Sequence, residues 1–157
     1  MKTLYLNLNR YIKTHAHYRK ALLFLVHYST YPFYVMYPLL LIYLFMTHNH
    51  FLIEATIKPL IVFATVTLFR KVIDRPRPYD TYPIEPIEPH KKGKSFPSRH
   101  SASAFIIAFM FCQLNVYLGI LTIVFACFVA LSRLLGNLHY LSDIIAAIVY
   151  AFIIAIL

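Results

Sequence analysis

Residues 117–157 read YLGILTIVFACFVALSRLLGNLHYLSDIIAAIVYAFIIAIL, and this stretch decides the fold class. Two apolar runs, about Tyr117 to Leu135 and His139 to Leu157, each have the length of a helix that crosses a hydrocarbon core of about 30 Å. Gly136-Asn137 between them reads as a helix stop. The charged residues of the stretch, Arg133 and Asp143, and its one histidine, His139, all lie near that stop, with Ser132 beside them. Polar chemistry therefore sits at the ends of the apolar runs, where membrane helices meet water.

Working outward, the same pattern recurs. Ala21 to Met46 is an apolar span that Pro32 and Pro38 are expected to kink, a distortion that neighbouring helices tolerate in a membrane. Phe51 to Phe69 is a second span, with Glu54 and Lys58 at the i,i+4 spacing of an ion pair. A third runs from Ser98 to about Phe111 and breaks at Gln113-Leu114-Asn115. The whole chain is 60% hydrophobic and 13% charged, against about 25% charged in a soluble domain. Its mean hydropathy is +0.64. Residues 1–20 carry Lys2, Arg10, Lys13, Arg19 and Lys20 without a compact apolar core or a cleavage site, as in a basic helix lying on the membrane surface. The sequence thus predicts an all-α, polytopic membrane bundle of about five transmembrane helices plus an N-terminal interfacial amphipathic helix. Residues 1–157 form one membrane-embedded domain in this reading.

Residues 70–99 are the one long polar connection. They contain Arg70-Lys71-Val72-Ile73-Asp74-Arg75-Pro76-Arg77-Pro78, a tandem Ile84-Glu85-Pro86/Ile87-Glu88-Pro89, and the cations Lys91, Lys92 and Lys94. Prolines at that density exclude a helix and favour a stiff, extended loop. Nine of the fifteen Lys and Arg residues lie in or next to the polar connections. A nucleic-acid partner, which needs cations spread over a soluble face, is excluded on that ground. An anionic lipid head group is the partner implied, and the lipid bilayer the medium. Cys112 and Cys127 fall inside apolar runs and are expected to be buried packing residues.

With spans alternating in direction, the 70–99 loop and the Gly136-Asn137 turn fall on one membrane side. Three short stretches can then share one site. His139 and Asp143, four apart, would lie on one helix face, where the carboxylate fixes the imidazole tautomer and steadies a cation formed on attack. Arg133 at the membrane boundary makes that pair an anion site. Pro97-Ser98-Arg99-His100 reads as a capped helix start, whose free N–H groups cradle phosphate with His100 in the first turn. Arg75 and Arg77, held by two prolines, match phosphate oxygens in bidentate fashion.

These residues resemble the type 2 phosphatidic acid phosphatase superfamily, integral membrane lipid phosphatases related to vanadium haloperoxidases. That family carries Lys-x6-Arg-Pro, then Pro-Ser-Gly-His, then Ser-Arg-x5-His-x3-Asp. Ser132, Arg133, His139 and Asp143 meet the third motif in full. Pro97, Ser98 and His100 meet the second, with Arg99 in place of glycine. Arg77-Pro78 meet the first, but Arg70 stands where the family has lysine, and the adjacent Lys71 is the alternative. The resemblance covers about Phe51 onward.

The resemblance implies a phosphatase that removes the terminal phosphate of a lipid phosphate or diphosphate, of polyprenyl diphosphate, phosphatidylglycerophosphate or phosphatidic acid type. His139 would be the nucleophile, Asp143 its orienting partner and His100 the acid for the leaving oxygen. Arg70 or Lys71, Arg77, Ser98 and Arg133 would hold the phosphoryl oxygens, and no cofactor or metal is implied. Arg99 is then a spare cation, which suggests a second anionic group on the substrate. Alternatively it contacts surface lipid head groups or pairs with Glu85 or Glu88. A lipid phosphotransferase on the same site, or a non-catalytic lipid-phosphate binder or transporter, are the rival functions. The resemblance implies a bacterial plasma membrane with the site at the outer face, in cell-envelope lipid recycling, whereas the cations of residues 1–20 and of the long loop favour a cytoplasmic site on the positive-inside rule.

Overall fold

The computed structural model describes residues 2–88 and 92–157, and Pro89 and Lys91 of the loop lie outside them. Among the described residues the elements are helices only: α1 (Lys2–Thr14), α2 (Ala16–Tyr28), α3 (Tyr31–Met46), α4 (Phe51–Ile73), α5 (Pro78–Thr81), α6 (Arg99–Leu114), α7 (Val116–Leu135) and α8 (Leu141–Ile156). Three helical stretches, Ala16–Met46, Phe51–Thr81 and Val116–Leu135, are long and apolar enough to cross a membrane, and Leu141–Ile156 is a shorter apolar helix. Their outer faces carry Leu39, Phe45, Leu60, Leu68, Leu121 and Ile145, each more than 40% exposed. So much bare hydrocarbon suits lipid, not water.

Helix α6 is the hub, packed against α4, α7 and α8. Its buried side includes Ser101, Ala102, Ala104 and Ala108, and facing helices answer with Ala126, Ala130, Ala147 and Ala151. Small residues let backbones approach closely, the usual basis of helix association in a membrane. Gly119 marks the tightest point: a Cβ there would lie 2.6 Å from Cys112 Cα. Asn115 turns the chain between α6 and α7, its side chain accepting from the N–H groups of Tyr117 and Leu118 at 3.0 and 3.1 Å. The expected Glu54–Lys58 pair forms at 2.6 Å, and Lys58 also donates to the Ala155 carbonyl.

Four details depart from the sequence reading. The N-terminal helix expected over residues 1–20 breaks at His15, whose backbone is extended. There the Thr14 hydroxyl donates to the Arg10 and Tyr11 carbonyls, a local competitor to the helical ladder. The buried face of α1, Tyr5, Asn9 and Ile12, rests on protein and not on lipid: Tyr5 clusters with Ile84 and Tyr140, and Ile12 with Leu138. The span expected from Ala21 to Met46 is interrupted at Ser29-Thr30, so Pro32 falls in the first turn of α3, where its missing N–H costs nothing. Cys112 and Cys127 are free and exposed on the outside of the bundle. In helices apolar all round, hydrophobicity does not say which residues face inward.

Candidate active site

Four helix ends and Arg77 of the loop after α4 meet at one end of the bundle. Arg70 comes from the last turn of α4, Arg99 and His100 from the first turn of α6, Arg133 from the last turn of α7, and His139 from the turn before α8. With Arg77 and Leu138 they line a cavity of about 160 Å³. Four arginines and two histidines make up its polar wall, and no carboxylate lines it. The space suits a phosphoryl group and is too small for a lipid tail.

Two of the four arginines, Arg77 and Arg133, are held from behind. Arg77 Nε donates to the Gly93 carbonyl at 3.0 Å, and its backbone N–H to Asp80 Oδ2 at 3.0 Å. Gly93 also donates its own N–H to Asp80 Oδ2 at 2.9 Å, and it adopts φ +70°, where an added Cβ would lie 2.8 Å from Asp74 Oδ1. Arg133 donates NH2 to the Val26 carbonyl at 3.0 Å, while its buried Nε has no protein partner. A buried donor left open in a cation-walled cavity is a place for an anion. Arg70 lines the cavity and Lys71 is exposed. Successive helical residues point about 100° apart, so the α4 that continues to Ile73 turns Arg70, not Lys71, into the site.

His139 and Asp143 meet, though not as two residues of one helix face. Helix α8 begins at Leu141, so His139 lies in the preceding turn. Asp143 is the third helical residue and accepts the N–H of Tyr140 at 3.0 Å, as in a capping box. The turn brings His139 Nδ1 to 3.6 Å from Asp143 Oδ2, longer than a hydrogen bond, and leaves Nδ1 without another partner. Both side chains are buried. Burial lowers the His139 pKa from 6.5 to about 4; the neighbouring Asp143 pulls it up and Arg77 pushes it further down.

Two residues that hold Asp143 were not singled out for that role by the sequence. Arg75 does not line the phosphate cavity expected for it. It donates to Asp143 Oδ1 at 2.7 Å and Ser142 Oγ at 2.9 Å, over the Tyr140 ring. The Ser95 hydroxyl donates to Asp143 Oδ2. Ser98 also lies outside the cavity lining. It occupies the N-cap position of α6, but its hydroxyl makes no cap bond and pairs with Ser101 Oγ at 2.9 Å. The Ser98 N–H donates to the Asp143 carbonyl at 3.1 Å, tying α6 to α8. Neither loop glutamate reaches Arg99: Glu85 pairs with Lys13 at 3.0 Å, and Glu88 contacts His27. Among the described residues, no three His, Cys, Asp or Glu side chains gather as a metal-ligand group.

An arginine-walled cavity with two histidines, set at the ends of apolar helices, is a site in which an integral membrane protein can hold an anion. The chain belongs to the PAP2 superfamily, whose family model matches residues 51–157. It is 30% identical over 90 residues to the undecaprenyl-diphosphatase BcrC of Bacillus subtilis (strain 168), a match covering 57% of this chain and 47% of that protein. The aligned part thus spans about half the length of that relative. The crystal structure of Aquifex aeolicus LpxE superposes with a TM-score of 0.76 at 22% identity, covering 98% of this chain and 93% of that one. At that identity the likeness establishes the fold.

Proposed function

We propose that the chain is a lipid phosphatase that hydrolyses a terminal phosphate through a phosphohistidine. The observation that carries this reading is the cavity itself, four arginines and two histidines around about 160 Å³ with Asp143 behind His139. Arg70, Arg77 and Arg133 hold the phosphoryl oxygens and offset the charge that builds in the transition state. In the first step the Nε2 lone pair of His139 attacks phosphorus. The bond from phosphorus to the leaving oxygen breaks, and His100 donates its proton to that oxygen. Asp143 moves a few tenths of an ångström to accept from Nδ1–H and steadies the phosphoimidazolium; such contacts are commonly long without substrate. In the second step water attacks phosphorus, His100 takes its proton, and the N–P bond breaks to restore His139 and release inorganic phosphate.

The reading is metal-independent, because arginines supply the charge that a cation would. We place the site at the outer face of a bacterial plasma membrane, where lipid carriers of the cell envelope are recycled. The mechanism is tested with purified protein in detergent and a lipid phosphate labelled with ³²P. Acid-labile, base-stable label on the wild type, absent from His139→Ala, is expected, together with phosphate release that survives EDTA. Label that remains on His139→Ala, or release abolished by EDTA, would refute the scheme.

A further inference from the structure

Beside the phosphate cavity runs a second, larger hollow. It is an apolar groove of about 510 Å³ between α3, α4 and α6. Tyr34, Leu60 and Phe63 on its rim are about half exposed or more, so the groove opens sideways to lipid. Groove and cavity share two lining residues, Arg99 and His100. A lipid with its tail in the groove and its terminal phosphoryl group among Arg70, Arg77 and Arg133 must cross at those two side chains. His100 lies at the crossing, where the leaving oxygen of such a lipid would be. Arg99 is left to explain.

Arg99 is the one Lys or Arg on the groove among the described residues, and its guanidinium lies 5.4 Å from the Phe63 ring centroid. No carboxylate pairs with it among the described residues, because Glu85 and Glu88 are engaged by α1 and α2. An unpaired arginine next to three others at a membrane boundary is costly until an anion arrives. Asp143 is paired with Arg75 and lies behind His139, so the four lining arginines present about four positive charges. A phosphate monoester brings about −1.5 to −2 at pH 7. Arg70, Arg77 and Arg133 already match that, and Arg99 stands on the tail side of them.

We infer that Arg99 contacts a second phosphoryl group, the one bonded to the lipid, and that it selects lipid diphosphates over lipid monophosphates. The inference rests on the phosphatase reading above. In a diphosphate the order is tail, inner phosphoryl, terminal phosphoryl, which matches the order groove, Arg99, cavity. Attack by His139 then breaks the bond between the terminal phosphorus and the bridging oxygen. His100 protonates that oxygen, and the lipid monophosphate leaves with its remaining phosphoryl group still facing Arg99.

The test compares farnesyl diphosphate with farnesyl phosphate, one tail in the same detergent, using the full-length wild type, Arg99→Gly and Arg99→Lys. The ratio of kcat/KM values, diphosphate over monophosphate, should fall tenfold or more in Arg99→Gly, the scale of one charge-assisted contact. Arg99→Lys should recover part of the ratio. An equal loss on both substrates, or a greater loss on the monophosphate, overturns the inference. If Arg99→Gly does not fold, Arg99→Met keeps the side-chain volume over Phe63 and gives the same ratio test. A wild type that releases phosphate from neither substrate overturns the phosphatase reading itself. One that acts on farnesyl phosphate in preference overturns only the role of Arg99.

Discussion

Replacing Asp143 by asparagine separates two roles that the structure superimposes on one carboxylate. The side chain is fully buried and receives Arg75 at 2.7 Å, Ser95 and the Tyr140 N–H, with His139 Nδ1 a little farther off. Asparagine has nearly the same shape but only one accepting oxygen, and its amide would face donors. Breaking a buried ion pair costs about 3–5 kcal/mol. Because the Arg75 side chain is 37% exposed and can turn to water, about 2–3 kcal/mol is the better figure here. Loss of the charge behind the attacking imidazole should lower kcat by a further factor of roughly 10²–10⁴ per folded molecule. The assay is phosphate release from a lipid phosphate, normalised to folded protein measured by thermal unfolding in the same detergent. Arg75→Gln is the control, since it weakens the same network but leaves a carboxylate facing His139. Its stability should fall similarly and its kcat much less. Asp143→Asn with kcat within about threefold of wild type, after that normalisation, would show that Asp143 is only a helix cap and refute its orienting role.

Two further predictions follow from the site and its setting. Because burial lowers the His139 pKa to about 4, the folded protein keeps this proposed nucleophile neutral between about pH 4 and 6.5, where the unfolded chain takes up a proton. Stability is therefore lost as pH falls through that window, and the acid limb of kcat/KM should lie near 4 in a profile taken down to pH 3.5; a limb centred near 6.5 would refute it. For orientation, Lys92 is exposed in the loop that walls the site, so Lys92→Cys should react with a membrane-impermeant maleimide in intact cells. The exposed Cys112 and Cys127 are first changed to serine, and labelling only after lysis would place the site on the cytoplasmic side.

The all-helical bundle and the gathering of His100, Arg133, His139 and Asp143 were legible in the sequence, because ionisable residues at the ends of apolar runs have few structural uses. What could not be read depends on the path of the loop. Arg75 and Ser95 reach Asp143 across 68 and 48 residues, and no local pattern encodes such contacts. The choice between Arg70 and Lys71 is a rotation of about 100° on a helix, which spacing alone leaves open. The tandem Ile-Glu-Pro units read as part of a stiff, extended loop. Instead Glu85 fastens the loop to α1 and Glu88 to α2, and Asn9 adds a bond to the Glu85 carbonyl at 2.8 Å. A signal was present in the matching excess of cations over residues 10–20, but it reads equally well as attraction to anionic lipid. The apolar run from His139 to Leu157 reads as helix throughout, whereas the capping box at Tyr140 and Asp143 starts the helix later.

The sideways opening of the groove between α3 and α4 has a kinetic consequence. A substrate admitted from within the bilayer arrives by two-dimensional diffusion, so its relevant concentration is its mole fraction among the surrounding lipids. Adding inert detergent or phospholipid at constant total substrate should slow turnover by surface dilution, and a KM quoted in molar units has no fixed meaning for such an enzyme. The rim formed by Tyr34, Leu60 and Phe63 would then act as the doorway between a lipid pool and a catalytic centre, and the composition of the membrane would set the rate as directly as any residue of the protein.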